Sequence, residues 1–598
     1  MITPMIRYSF LIYHKEYHSF LEKLQDIGVL HIAEKATEYD EKTEKILADT
    51  KNINDTLRFL KKRNQEEEPV EDGMDAMEVV KDIKEKKEEI DTIEQELATL
   101  KKEIEKAQPW GDFTPDMKEK LQKLKLTPRF FICNERRFDT DWENQYFLEH
   151  INKISGNLYF VIFQEEGTEI DIDAEEVKLP SKPYSELDKE YDDKEKRIKE
   201  INKLFNDYAT KYQEVLRKER QRLQQETDFN QALNHTEKQA EDKVMLLEGW
   251  VPEPNEKDLL NFLEKEDVLY LKEEAASDNP YEVPVLLKNN KFARVYQPLQ
   301  DLFSLPHYKE IDLTPFFAPF FMLFFGFCLG DAGYGIAILL AVTIFKHTKA
   351  KDSIKPYLTM AQYLGAATVL MGAVGGTVFG VDLTELDYMN DFRNMFLDPQ
   401  QLFNLSLVLG MIQILFGMII KAANYWRQQG FMFALSTIGW IILIISTIVF
   451  VGGDELGWFT LEAIKEIYYG FLVLSGLLIF FFSDPKINVF ARIGKGVWDS
   501  YNMVTGVFGD LLSYIRLFAI GISTAILGFV INEIAITFGN IPYAGPLVFV
   551  IILVVGHIGN LLISSLGSFV HPMRLIFVEF YKNAGFTGGG KRYKPFSK

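Results

Sequence analysis

GDLLSYIRLFAIGIS, residues 509–523, carries a single arginine, Arg516, inside an apolar run that extends from 504 to 534. Arginine stays charged at any physiological pH. Stationing it deep in a bilayer costs from about 3 to about 17 kcal/mol, so it must face protein or water. Snorkelling relieves that cost near a helix end. Arg516, however, lies about 18 Å from the nearer end of its run at 1.5 Å per residue. An intramembrane charge placed so deep points to an ion path, and the stretch sets the frame for the rest: a membrane bundle built around a cation.

Working outward, apolar segments at 314–330, 333–346, 356–380, 401–421, 431–452, 467–483, 504–534 and 545–582 read as membrane crossings. The first two adjoin at Gly330-Asp331-Ala332-Gly333 and could form one crossing or two. Loop charge decides. KHTKAKDSIK (346–355), KAANYWRQQ (421–429), DPKINVFARIGK (484–495) and the tail KRYKPFSK (591–598) are basic, whereas DLTELDYMNDFRNMFLD (382–398) and GGDELGW (452–458) are acidic. An excess of Lys and Arg marks the cytosolic side. A cytosolic N-terminal half then requires an even number of crossings, so 314–346 goes out and back and the count is eight. The last two runs hold 31 and 38 residues, where about 20 suffice, which predicts tilt or projection from the hydrocarbon.

Those two runs also hold the polar groups. His557, Asn560, Ser564, Ser568, His571 and Arg574 recur at spacings of three and four, along one side of a helix. Such a stripe lines a hydrated groove or makes interhelical hydrogen bonds, and spacing does not choose between them. Arg574 is eight residues from its end and within snorkelling reach. Beside Arg516, Ser513 and Asp510 come one and two turns earlier, and Ser523 and Thr524 later. Glu533 and Glu579, near opposite ends, are either entry and exit carboxylates or interfacial groups in solvent.

The half before residue 314 is dense in Lys, Glu and Asp. MIRYSFLIY, KEYHSFLEKLQDIG and VLHIA (5–33) read as strand, helix and strand; RFFICNERR (129–137), NLYFVIFQEE (157–166) and VMLLEGWVP (244–252) read as further strands. Two amphipathic helical tracts cover 40–107, interrupted at EEEPVEDG (66–73), and 184–245, with Ile201, Leu204, Phe205 and Tyr208 on one stripe. Rods of opposite direction can pair as an antiparallel coiled coil, serving either as a spacer or dimeriser, which periodicity alone favours, or as a strut. The expected fold is mainly α. An arm (1–313) joins two small α/β lobes, at about 1–37 plus 246–312 and about 108–183, by the rods, and an eight-helix membrane bundle (314–598) with a short cytosolic tail follows.

Several classes are excluded. Net charge is −20, against broad binding to nucleic acid or anionic lipid. Two cysteines, Cys133 and Cys328, fall in different halves and define neither a disulfide framework nor a zinc site. The N-terminal apolar run is too short for a signal peptide, which puts the first 300 residues in the cytosol. No G-x-x-x-x-G-K-[ST] loop occurs, so the chain has no visible means of hydrolysing ATP. No cofactor or metal pair is indicated.

In LEKLQDIGVLHI (21–32), LLEGWVP (246–252), FFGFCLGDAGYG (324–335), LLSYIRLFAIG (511–521) and the ending HPMRLIFVEFYKNAGFTGGGKRYKPF (571–596), the chain resembles the large membrane stator subunit of V-type and archaeal-type rotary ATPases, subunit I in prokaryotes and subunit a in eukaryotes. The ending departs in one respect: the family more often has a shorter run between helix and glycine triplet. The resemblance implies that Arg516 and Arg574 are the two functional arginines, facing a rotating ring of c/K proteolipid subunits whose carboxylates carry H⁺ or Na⁺. It implies peripheral-stalk partners of the E/G type, a central-stalk socket subunit of the C/d type, a strut role for the rods and a multi-pass place in a prokaryotic plasma membrane. The rivals are a self-contained secondary transporter with its site near Arg516 and His571, and a purely structural scaffold.

Overall fold

The computed structural model describes residues 1–598 except 34–39, 64–72, 113–119, 122, 125, 166–169, 179–181, 235, 240–242, 267, 276–278, 349–350, 353, 384–397, 456, 459 and 598. Most of the interruption at 66–73 and of the acidic loop at 382–398 therefore lies outside the described residues. The chain divides into two units, residues 1–34 with 236–598, and residues 35–235.

In the second unit, helix Glu41–Lys61 packs on helix Gln213–Asn234, and helix Ala76–Ala107 packs on helix Tyr184–Lys211. The partners run antiparallel: Lys42 meets Glu226, Asp82 meets Tyr208, Glu89 meets Arg197 and Glu96 meets Lys194. Ile53, Leu60, Val79, Ile83, Ile201, Phe205 and Leu216 form the buried seam, as the three- and four-residue spacing requires. The second tract stops at Asn234, where sequence periodicity carried it to 245. Residues Glu237–Gln239 and Val244–Pro252 are strands. Strands Leu126–Asn134, Phe147–Ile154, Asn157–Glu165 and Glu175–Val177 make an antiparallel sheet over Phe131, Phe160 and Trp142.

The first unit joins a small sheet to the membrane helices. Met5–Tyr13 is central, flanked by Val244–Pro252 and Leu269–Glu274, with His31–Ile32 and Glu237–Gln239 both pairing with Val244–Pro252. Helix Lys291–Phe303 leads from this lobe into the apolar half, its Tyr296 and Leu299 packing with Phe317, Phe321, Phe580 and Tyr581.

Among the described residues six helices are individually long and apolar enough to cross a membrane: Lys355–Gly375, Pro399–Gln429, Phe431–Asp454, Ile464–Phe481, Val489–Gly539 and Gly545–Asn583. Thr314–Leu329 and Ala332–Thr348 add a pair bent by 120° at the Gly330-Asp331 break. The penultimate helix, at 51 residues, begins 15 residues before its apolar run, at Val489. Its length is about 77 Å, more than twice the hydrocarbon thickness.

Candidate functional site

Two polar clusters lie on the last two helices. The first surrounds the Gly330-Asp331 break. Gly330 takes a left-handed conformation, φ 55°, which ends the first helix of the bent pair. The Asp331 carboxylate, fully buried, accepts from Tyr334 N (3.1 Å), Phe379 N (2.8 Å) and Gly380 N (2.7 Å). It thereby pins the hairpin Thr377–Asp382 to the break. Gly380 lies against Gly528: a Cβ at 380 would fall 2.3 Å from the Gly528 carbonyl carbon, so backbone meets backbone there. Asn532 donates from Nδ2 to Phe379 O (2.8 Å), and its Oδ1 meets His557 Nε2 (2.9 Å). His557 Nδ1 meets Tyr334 Oη (2.7 Å), which accepts from Asn560 Nδ2 (2.8 Å). Asn560 also donates to Thr524 O (3.2 Å) and accepts from Ser564 Oγ (2.9 Å). The network ties the bent pair, the hairpin and both long helices together.

The second cluster holds the charges. Buried Tyr514 and Leu517 seat the penultimate helix against helix Pro399–Gln429, with Tyr514 Oη donating to Gln413 Oε1 at 2.7 Å. This leaves Arg516 half-buried, with Nη1 enclosed and without a hydrogen-bond partner. His571 stands within electrostatic reach of both Arg516 and Arg574. Arg574 is exposed. Immediately after it the last helix widens into a π-helical turn, Leu575–Phe580, a local irregularity that recurs at functional sites. That turn carries Glu579, 3 % exposed, next to Ser513 and within reach of Arg574, with its Oε2 unpartnered. Asp510, 7 % exposed, accepts from Lys582 Nζ (2.8 and 3.0 Å) and Asn583 Nδ2 (2.8 Å).

The candidates of the sequence thus divide. Asp510, Ser513, Arg516, His571, Arg574 and Glu579 gather in the second cluster; Thr524, His557, Asn560 and Ser564 belong to the first. Ser568 is fully buried between them with an unpartnered hydroxyl. Ser523 and Glu533 are exposed and join neither. The stripe is accordingly no uniform groove: its first half makes interhelical hydrogen bonds and its last turns carry the charge. Sequence reasoning missed Asp331, Asn532, Lys582 and Asn583. A lone carboxylate in an apolar stretch was the available signal for Asp331; the others needed the helix pairing. Among the described residues no group of three or more His, Cys, Asp or Glu side chains is placed to hold a metal ion.

These features define a multi-pass α-helical membrane protein with charged groups held inside its two longest helices. A family model, the V-type ATPase 116kDa subunit family, matches residues 142–375. The A-type ATP synthase subunit I of Methanocaldococcus jannaschii is 31% identical over 391 residues, 59% of this chain and 55% of that one. The V-type ATP synthase subunit I of Borreliella burgdorferi is 25% identical over 100% of both chains. A solved cytoplasmic N-terminal domain of a subunit I covers 46% of this chain at a TM-score of 0.20 and 12% identity, too slight a likeness to place any element. The chain is thus similar to V-type and A-type ATPase subunits I over the stretches that these relatives match.

Proposed function

We propose that this chain is the membrane stator subunit of a rotary V/A-type ATPase, supplying the ion path against a turning ring of c/K proteolipids. One observation carries the reading: a guanidinium deep in the longest membrane helix, half-buried and with an unpartnered nitrogen, with His571 within electrostatic reach of it and of Arg574. Such groups demand a partner. A ring carboxylate entering this zone is stabilised as the anion and releases its H⁺ or Na⁺. The same fixed charge blocks ions from passing directly between two half-channels. Glu579, in its π-helical turn beside Ser513, is the candidate carboxylate on the side of the basic tail; Asp510 is engaged by Lys582. Glu533 and Ser523 are the exposed candidates toward the other side.

In this reading the bundle makes eight crossings with both termini in the cytosol of a prokaryotic cell. The basic loops and the 120° bend at Asp331 support that count. The paired helices of residues 41–234 act as an antiparallel coiled-coil strut, docking E/G-type peripheral stalks, while a C/d-type socket subunit links the ring to the central shaft.

In the assembled complex, Arg516→Ala abolishes ATP-driven ion uptake into vesicles while ATP hydrolysis by the soluble sector continues. Uptake at the parent rate would overturn the proposal. Solute uptake by the purified chain alone in liposomes would favour a self-contained transporter instead.

A further inference from the structure

The final helix continues to Asn583, and the residues after it turn back along the small lobe. Glu310, 1 % exposed, lies at the lobe's junction with the membrane helices. Its carboxylate accepts from Thr587 N (2.7 Å), Thr587 Oγ1 (2.6 Å) and Gly588 N (3.2 Å), all in the tail, and from His307 N (3.1 Å) in the lobe. Gly590 N donates to Leu305 O at 3.1 Å, and a Cβ at 590 would fall 2.0 Å from Pro306 O, so only glycine lets the tail pass so close. Beyond it, Lys591–Arg592 pairs in parallel with Pro284–Val285. The ring of Phe596 is buried, and its N–H donates to Leu30 O at 2.8 Å. The opening strand-helix-strand of the chain is thus bonded to the end of the same chain.

The physical need for such bonds follows from the solvent. An apolar helix in lipid gains no hydrophobic free energy from one axial depth or rotation over its neighbours. One residue of slippage displaces it about 1.5 Å and turns it by about 100°, enough to carry Arg574 off the line of Arg516. Polar bonds at the helix end, outside the hydrocarbon, supply the fixed reference that lipid lacks.

We infer that residues 585–597 form a strap that holds the Arg574 helix at a set depth and rotation against lateral load, and that Glu310 is the positioning residue that fastens it. The consequence for pumping rests on the ion-path reading proposed above; the strap itself rests on its own contacts. Three donors in the tail lose their acceptor in Glu310→Ala. In Glu310→Gln the Oε1 position still accepts from Thr587, so its effect is intermediate.

The test is hydrogen exchange of the tail amides in the assembled complex, together with ions transported per ATP hydrolysed. In Glu310→Ala the amides of Thr587 to Gly590 exchange roughly 10- to 100-fold faster, and the transport ratio falls several-fold while exchange in helix Val489–Gly539 is unchanged. Unaltered tail exchange, or faster exchange with an intact ratio, overturns the strap. Should Glu310→Ala fail to assemble, Gly590→Ala, which acts on the tail and leaves the lobe's own residues in place, is read the same way. In Arg516→Ala the tail stays protected while pumping stops. If pumping survives that substitution, the ion-path reading falls, and the exchange result still decides whether the strap exists.

Discussion

Replacing Asp331 by alanine removes one carboxylate that accepts three backbone N–H groups, at 3.1, 2.8 and 2.7 Å. The site is fully buried, so water cannot simply take over. Hydrogen bonds to a charged group contribute about 1.5–3 kcal/mol each. Three of them give about 4–9 kcal/mol, and partial relaxation of the hairpin, whose Phe379 ring is half-exposed, brings the expected loss to about 4 kcal/mol. One effect offsets part of it: Phe379 holds φ at 48°, an unfavourable conformation for a large side chain, and losing the bond from its N–H to Asp331 lets that strain relax. Asparagine keeps one oxygen for Tyr334 and Phe379 but sets an amide N–H against that of Gly380, a loss of about 1–3 kcal/mol. Melting of the detergent-solubilised chain, with limited proteolysis of the hairpin, reads both. For a cooperative unit this large, Asp331→Ala lowers Tm by about 4–8 °C and Asp331→Asn by about half that. An alanine variant melting within about 1 °C of the parent with an equally resistant hairpin, or an asparagine variant worse than alanine, would refute the assignment of Asp331 as the pin.

Three further outcomes are expected. Phe205, 1 % exposed and edge-on to Phe59 at 5.1 Å, anchors the paired helices, so Phe205→Ala costs about 3–5 kcal/mol and lowers the melting of residues 41–234 before the membrane half; a shift under about 1 °C would count against that seam. Burial holds the His307 imidazole below its ordinary range, against an opposing pull from Glu310; the folded lobe then binds fewer protons than the unfolded chain, so its stability is full above about pH 6.5 and falls as pH drops below it. His307→Gln flattens that dependence, and an unchanged pH-melting profile would contradict it. In a double-mutant cycle on Asp510→Asn and Lys582→Met, the half-exposed lysine limits the coupling to about 1 kcal/mol; strict additivity in the melting data would mean that the pair contributes nothing.

Much of this arrangement was legible from spacing and composition. Apolar runs give the membrane helices because each must satisfy its own backbone in lipid, and the three- and four-residue stripe of Ile201, Phe205 and Tyr208 gives the paired rods. What spacing did not reveal was where hydrogen bonds terminate elements. The second rod ends at Asn234 because the segment beyond it joins a sheet, a tertiary choice invisible in local periodicity. The penultimate helix reaches back to Val489 through turns that mix Arg492, Lys495 and Asp499 with apolar residues and so fall outside the apolar window. The strap at 585–597 depends on a partner far away in sequence, Glu310 and Thr587 being separated by 277 residues.

The two clusters differ in a way that assigns them different work. Around Asp331, His557 and Asn560 every named side chain has a partner, and a satisfied polar network in an apolar setting rigidifies and fixes register. Nothing there is left to bind a passing ion without breaking a bond already made. In the second cluster the opposite holds: Arg516 Nη1 and Glu579 Oε2 are enclosed without partners. Burying such atoms unpaired is costly, so each invites a partner such as water, an ion or another subunit. The same helix pair therefore carries a satisfied network that holds geometry and a second region whose enclosed polar atoms are open to a partner; under the ion-path proposal that partner is a ring carboxylate.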